Sequence, residues 1–367
     1  MESIEIFDIF NHIDTFVAFL LSLASIPILR RFAPTAGLVD HPGGRKKHSK
    51  AVPLVGGVAI FLAVSITSYL FGKIDGFEGL FFGSLALFVL GLLDDRFDIP
   101  ATPRLITQTL IISIALYTDD VWLTSLGHAF GIELSLGWVA YPLTVVAILG
   151  VTNAINMLDG LDGLASGIIM LTLFFILGVA SISNSPAKFH ITITMGAVVG
   201  FWLYNYRFPW RSRATVFMGD SGTVFLGFSL PYLAIYLVST SKGTGAEPAY
   251  LLWLFALPLW DISAVILKRL KEKKSPLKAG RDHIHHILLE HGFNVRQAVL
   301  FIYGVCGLAL SFGTSLLYFN FNSIGLYCAF AFALYIYIER MFKYDKKQTA
   351  EVISLSTTTK SKYNTNA

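Results

Sequence analysis

Charge is what this sequence has least of. Only 14% of its 367 residues are Asp, Glu, Lys or Arg, against roughly 25% in soluble globular domains, and the deficit excludes an ordinary water-soluble fold. Cysteine is scarce too. Cys306 and Cys328 both fall inside apolar runs, so neither a disulfide framework nor a cysteine-ligated metal is expected, and both read as small buried hydrophobes. No basic stretch precedes the first apolar run. The opening "MESIEIFDIFNHID" is acidic and Arg30-Arg31 follows the run, so no cleavable signal peptide is expected. The alternating pattern of barrel strands is missing, as is an internal repeat of fixed period.

What is present is apolar sequence, 54% of the chain. Eleven runs are predicted to be membrane helices, over about residues 14–30, 53–72, 79–93, 104–118, 136–152, 163–182, 190–206, 222–239, 249–267, 298–317 and 321–340. In lipid the backbone must satisfy its own hydrogen bonds, so runs of this kind are helical. The expected fold is an all-α polytopic membrane protein, with one catalytic domain over 1–342 and a Ser-, Thr- and Lys-rich tail, 343–367, read as disordered. Of the 28 Lys and Arg, all but Lys73, Lys188 and Lys242 fall on connections of one side. The positive-inside rule makes that side cytoplasmic, with the N-terminus outside and the C-terminus inside. The net charge of +4 therefore hides a basic cytoplasmic face suited to anionic lipid and phosphate; no nucleic-acid partner is expected.

The polar residues gather in five segments on that face: "GLVDHPGGRKKHSKAVPLVGG" (37–57), "LLDDRFDIPATPR" (92–104), "TNAINMLDGLDGLASG" (152–167), "YNYRFPWRSRATVFMGDSGTVF" (204–225) and the basic loop 268–296. A charge near the bilayer centre costs about 2.5–3.5 kcal/mol on insertion scales, so acids beside apolar runs carry information. Asp94, Asp95, Asp159, Asp162 and Asp220 all lie so. Taken singly, Asp94-Asp95 reads equally well as a helix end, with Pro100 stopping the helix near Asp98, and Asp220 as an N-cap. Asn153, Asn156, Asp159 and Asp162 recur at steps of three, so neighbours share a helical flank, while Gly160 and Gly163 weaken any continuous helix. Oxygen ligands of this kind suit magnesium, which is usually held by one or two carboxylates plus substrate phosphates. The logic is that of a nucleoside diphosphate site, with a lipid phosphate in the headgroup layer as second substrate.

The loop 268–296 holds "GRDHIHHILLEHG". Zinc on a helix would favour His at i and i+4, which His283, His285 and His286 do not supply, and a membrane proton relay would lie inside a span. The stretch reads as a short helix from about His283 to His291, with Asp282 as N-cap and Gly292 as stop. Imidazoles on its first turn would form an anion site.

In order, "HSKAVPLVGG", "LLDDRFDIP", "NAINMLDGLDGLA", "VFMGDSGTVFLGF" and "GRDHIHH" resemble the motifs of the polyprenyl-phosphate N-acetylhexosamine-1-phosphate transferases, the superfamily of MraY and WecA, over about residues 30–300. The His-Ile-His-His form looks like the WecA branch; MraY enzymes typically have three adjacent histidines. The resemblance implies eleven helices and transfer of a sugar 1-phosphate from a UDP-sugar, UDP-GlcNAc in the WecA type, onto undecaprenyl phosphate, with release of UMP. It also implies Mg²⁺, replaceable by Mn²⁺, in a bacterial cytoplasmic membrane with the site facing inward, at the start of O-antigen, common-antigen or teichoic acid synthesis; it leaves a homodimer open. By the same resemblance Asp220 is the metal ligand, and Asp94 and Asp95 lie at the phosphates. Asn153, Asn156, Asp159 and Asp162 line the nucleotide and metal pocket. Lys50 and Arg281 meet phosphate or sugar, Asn205 lies near the uridine, and His283, His285 and His286 belong to a loop closing over the substrate. Another UDP-N-acetylhexosamine, such as GalNAc, QuiNAc or FucNAc, is the competing substrate. A transporter of nucleotide sugars or lipid-linked sugars is the competing class, disfavoured by acids gathered at one face and by the missing repeat.

Overall fold

In the computed structural model the described residues are 12–40, 51–240, 247–276, 280–319 and 321–364. Each of the eleven apolar runs meets a helix. The first eight are α1 (Ile13–Ala36), α2 (Gly56–Leu70), α3 (Glu78–Phe97), α4 (Ala101–Asp119), α5 (Ala140–Leu158), α6 (Leu164–Ile182), α7 (Ala187–Asn205) and α8 (Gly219–Thr240). The ninth run is broken into α9 (Tyr250–Leu254) and α10 (Ala256–Lys271). Pro258 explains the break: it has no N–H for the carbonyl of Leu254, four residues earlier, so one helix cannot run through. A short α11 (Ile284–Glu290) precedes α12 (Val295–Tyr318) and α13 (Ser323–Asn364). Six of these stretches are both long and apolar enough to cross a membrane: Ile13–Ala36, Gly137–Leu158, Leu164–Ile182, Gly219–Thr240, Val295–Tyr318 and Ser323–Tyr344. The others are shorter or carry charge at their ends.

The fold departs from the all-α expectation in two small antiparallel hairpins. One pairs β1 (Val39–Asp40) with β2 (Val52–Pro53), the other β3 (Ser125–Ala129) with β4 (Ile132–Ser135). Helix α13 continues to Asn364 through the segment whose composition reads as a disordered tail; no Gly or Pro occurs after Gly325 to stop it.

Helix α8 is the axis of the molecule, buried over nearly all its length, with α2, α3 and α5 packed around it. Small residues make the approach possible, as in membrane helix packing generally. A Cβ on Gly91 of α3 would collide with the backbone of Asp220, and one on Gly57 of α2 with that of Gly222. Both contacts fall on the first turn of α8. Around this core, α1, α3, α4 and α12 turn Phe16, Ile28, Phe82, Leu110, Ile114 and Leu308 outward, as lipid-facing surfaces require.

Candidate active site

Where α8 begins, the ends of α3 and α5 meet it. Helix α3 stops at Phe97 with Asp98 left-handed at its C-cap, where Pro100 places the stop. Its last turn carries two acids with different surroundings. Asp94 is buried, accepts the N–H of Ile99 at 2.8 Å and pairs with the guanidinium of Arg104. Asp95 accepts the backbone N–H of Asp220 at 2.7 Å and of Ser221 at 3.0 Å. The carboxylate of Asp95 thus caps α8, a task open to Asp220 when that residue is read singly, and the side chain of Asp220 is released toward α5. There Asn156 donates one amide hydrogen to Asp220 and another, at 2.8 Å, to Thr223 Oγ1.

Helix α5 ends at Leu158, so the step of three carries only to Asp159. Beyond it the chain turns, with Gly163 at φ +86°. Among the described residues, the carboxylate of Asp159 has no hydrogen bond or ion pair. Burial raises it to about 7, and the carboxylates of Asp220, Asp162 and Asp95 push the same way. Asp162 leaves the expected flank: it pairs with Arg207 at 2.6 Å and accepts the N–H of Ala214 at 2.8 Å, tying the turn to the loop before α8.

Two amides expected in the pocket make hydrogen bonds to protein groups. Asn153 donates to Gln108 at 2.9 Å and to the carbonyl of Leu149 at 2.8 Å, joining α5 to α4. Asn205 is buried; it accepts from Gly163 at 2.8 Å and from Ser166 at 3.1 Å, and donates to the carbonyl of Val216 at 3.0 Å. It brackets the Asp159–Gly163 turn against the entry to α8, and Tyr303 of α12 donates to the carbonyl of Gly163 from the far side.

The histidine helix differs from its sequence reading in its cap. Its N-cap is His283, not Asp282; Asp282 pairs with Lys268 and Arg269, each at 3.2 Å. The N–H of Ile284 is taken at 2.9 Å by Asp261, a buried acid on α10 that also binds His283 Nδ1 at 2.6 Å. An anion already occupies this N-terminus, and it is a protein side chain. His285 is buried with its ring lying against Gly160, where a Cβ would overlap Nε2. Burial, reinforced by His286 and His283 and opposed by Asp261, lowers it to about 3, so it stays a neutral imidazole. His286 packs on His285 with ring centroids 4.2 Å apart. The histidines thus reach the turn that carries Asp159. Arg281 is exposed on the approach to α11. Lys50 lies outside the described residues.

Arg104, Gln108, Tyr303 and Asp261 were not singled out from the sequence. Asp261 left a readable signal: it is an acid in the middle of the ninth apolar run, as costly there as the acids beside the other runs.

Among the described residues, no three His, Cys, Asp or Glu side chains form a ready metal cage. Magnesium does not need one, since it keeps waters and takes phosphate oxygens beside one or two carboxylates. An unpartnered Asp159 facing Asp220 and Asp95 fits that requirement, because a cation would relieve both the missing partner and the repulsion.

The chain belongs to glycosyl transferase family 4: the family's profile matches residues 77–238, a stretch that contains Asp94, Asp95, Asp159, Asp162 and Asp220. The chain is similar to the undecaprenyl-phosphate alpha-N-acetylglucosaminyl 1-phosphate transferase of Yersinia pestis, 34% identical over 290 residues, 77% of this chain and 78% of the relative. Proteins of the same name from Escherichia coli strain K12 (32% over 317 residues, 84% of each chain) and Salmonella typhi (33% over 313 residues, 83% of each chain) are also similar.

Proposed function

We propose that the protein transfers N-acetylglucosamine 1-phosphate from UDP-GlcNAc to undecaprenyl phosphate, giving undecaprenyl-diphospho-GlcNAc and UMP. An oxygen of the lipid phosphate attacks the sugar-bearing phosphorus, the bond from that phosphorus to the UMP oxygen breaks, and UMP leaves with the electron pair. The observation that carries this reading is the meeting of Asp95, Asp159 and Asp220 where the ends of α3, α5 and α8 come together, with one carboxylate unpartnered among the described residues.

Asp220, held by Asn156, and Asp159 would ligate Mg²⁺, or Mn²⁺ in its place. When bound, the ion supplies positive charge against the diphosphate. Asp95 keeps the first turn of α8 in place. Arg104 and Asp94 form a charged pair beside the cluster, able to exchange its partner for an incoming phosphate. Lys50 contributes a further cation, and the histidine helix covers the Asp159 turn. Such a site works mainly by positioning and electrostatic stabilisation; no general base is required, because a lipid phosphate is already largely ionised at neutral pH. The reading includes eleven spans, an N-terminus outside and a site open to the cytoplasm of a bacterial cell, at the start of surface-polysaccharide synthesis.

The test is UMP release by the detergent-purified protein. Release is expected only with UDP-sugar, polyprenyl phosphate and Mg²⁺ together; robust release without the lipid acceptor overturns the reading. A panel of UDP-N-acetylhexosamines in the same assay identifies the sugar.

A further inference from the structure

Asp261 takes no part in the acid cluster, yet it is a buried carboxylate with three hydrogen-bond partners. It lies 1% exposed on α10, among Leu257, Trp260, Ala264 and Val265, all buried. Burying a carboxylate there is costly unless donors satisfy it. Three do: Oδ2 receives His283 Nδ1 at 2.6 Å, and Oδ1 receives the N–H of Ile284 at 2.9 Å and the hydroxyl of Tyr337, on α13, at 2.9 Å. Two of these three partners belong to the histidine segment.

Asp282, just before the segment, pairs with Lys268 and Arg269, but the helix itself is weak. Helix α11 is seven residues long, its N-cap makes no side-chain cap bond, and helices this short are marginal alone. It is gripped from two sides: by Asp261 at His283 and Ile284, and by Gly160 at the ring of His285. Gly160 adjoins Asp159. A continuous chain therefore runs from α10 through Asp261, His283, His285 and Gly160 to the unpartnered carboxylate of the acid cluster.

We propose that Asp261 is a positioning residue for the transfer reaction: through His283 and the N-terminus of α11 it sets the histidine segment against the Asp159 turn. Its contact with Tyr337 ties that setting to the last membrane helix. The inference rests on the proposed transferase activity. Its consequence is that Asp261 and His283 act as one unit, since the carboxylate influences the site only through the segment that it anchors.

A double-mutant cycle on the full-length protein tests this. Asp261→Asn and His283→Asn are each expected to slow UMP release by ~100-fold, the loss typical of a small misplacement of reacting groups, and the double variant by no more than either alone. Trypsin cleavage after Arg281 or Arg296 is expected to accelerate in Asp261→Asn, reporting an undocked α11 without reference to activity. Tyr337→Phe removes one of the three bonds, leaves the histidine contacts in place and serves should Asp261→Asn fold poorly; it is expected to lose ~3-fold, non-additively with His283→Asn. A full rate in Asp261→Asn, single-variant losses that multiply in the double variant, or unchanged cleavage would overturn the proposal. A wild-type protein that releases no UMP would instead overturn the transferase reading.

Discussion

Two aspartates at opposite ends of the α3–α8 pair do the same local job with different neighbours. Asp119 accepts the N–H groups of Gly79 at 2.7 Å and Leu80 at 3.1 Å, capping α3, and also binds the hydroxyl of Tyr232. Asp95 accepts the N–H groups of Asp220 and Ser221, capping α8. Each places an acid where the helix dipole favours one. Around Asp119 the partners are a phenol and backbone amides, and the account closes. Around Asp95 stand Asp220 and Asp159, and it stays open for a cation. Capping explains the first aspartate fully and the second only in part, and the remainder is what the proposed chemistry would use.

The widest way to break this contrast is to remove the acid that capping leaves unexplained. Asp220→Asn preserves the shape and the contact with Asn156 but removes the charge. UMP release is expected to fall by ~10³-fold or more, while the melting temperature in detergent holds or rises as repulsion from Asp159 and Asp95 is relieved. Full activity in this variant would remove Asp220 from the site.

Next come the two caps themselves. Asp95→Ala is expected to reduce turnover ~100-fold and also to lower the melting temperature. Asp119→Ala is expected to cost about 1–2 kcal/mol of stability through the lost cap, with turnover within ~3-fold of wild type. Equal activity losses at the two positions would show that both ends of the pair serve the reaction.

How much of this was legible in the sequence follows the same division. The eleven apolar runs coincide with helices because lipid leaves a chain little alternative, and the acids stood out because charge beside such runs is expensive. The partners of polar groups were not legible. The amide of Asn205 bonds to Gly163, Ser166 and Val216 and that of Asn153 to Gln108, all contacts set by tertiary packing, and each amide alone looks as suitable for a substrate as for a backbone. Asp162 kept a helical spacing on paper and lost it when Gly163 turned the chain. The expected cap of α11, Asp282, is adjacent in sequence, whereas the acid that takes the Ile284 N–H, Asp261, arrives from another helix.

A smaller effect sharpens the contrast through pH. Asp159 is raised to about 7 by burial and its acidic neighbours, so the folded protein holds this proton more tightly than the unfolded chain. Its contribution makes the Mg²⁺-free protein lose stability as pH rises from about 4 to about 7, with the cost persisting above. Asp159→Asn should make that slope shallower. Mg²⁺ binds the ionised form, so its stabilisation should be larger at pH 8 than at pH 6; thermal melts across pH, with and without Mg²⁺, measure both, and an unchanged slope in Asp159→Asn would dissociate the effect from this residue.

Asp282 supplies the opposite case and the smallest effect. Burial alone would raise its carboxyl, but Lys268 and Arg269 outweigh burial and bring it below the usual carboxylate range. The folded protein therefore releases this proton more readily than the unfolded chain does. The stability it provides is present above the unfolded value, near 4, and is lost as pH falls toward the folded one. Asp282 is half-buried and open to solvent screening, so at most about 0.5 kcal/mol is at stake. Asp282→Asn should flatten the acid side of the melting profile slightly and leave Mg²⁺ dependence untouched, because its cations come from the protein whereas the one that suits Asp159 must come from outside.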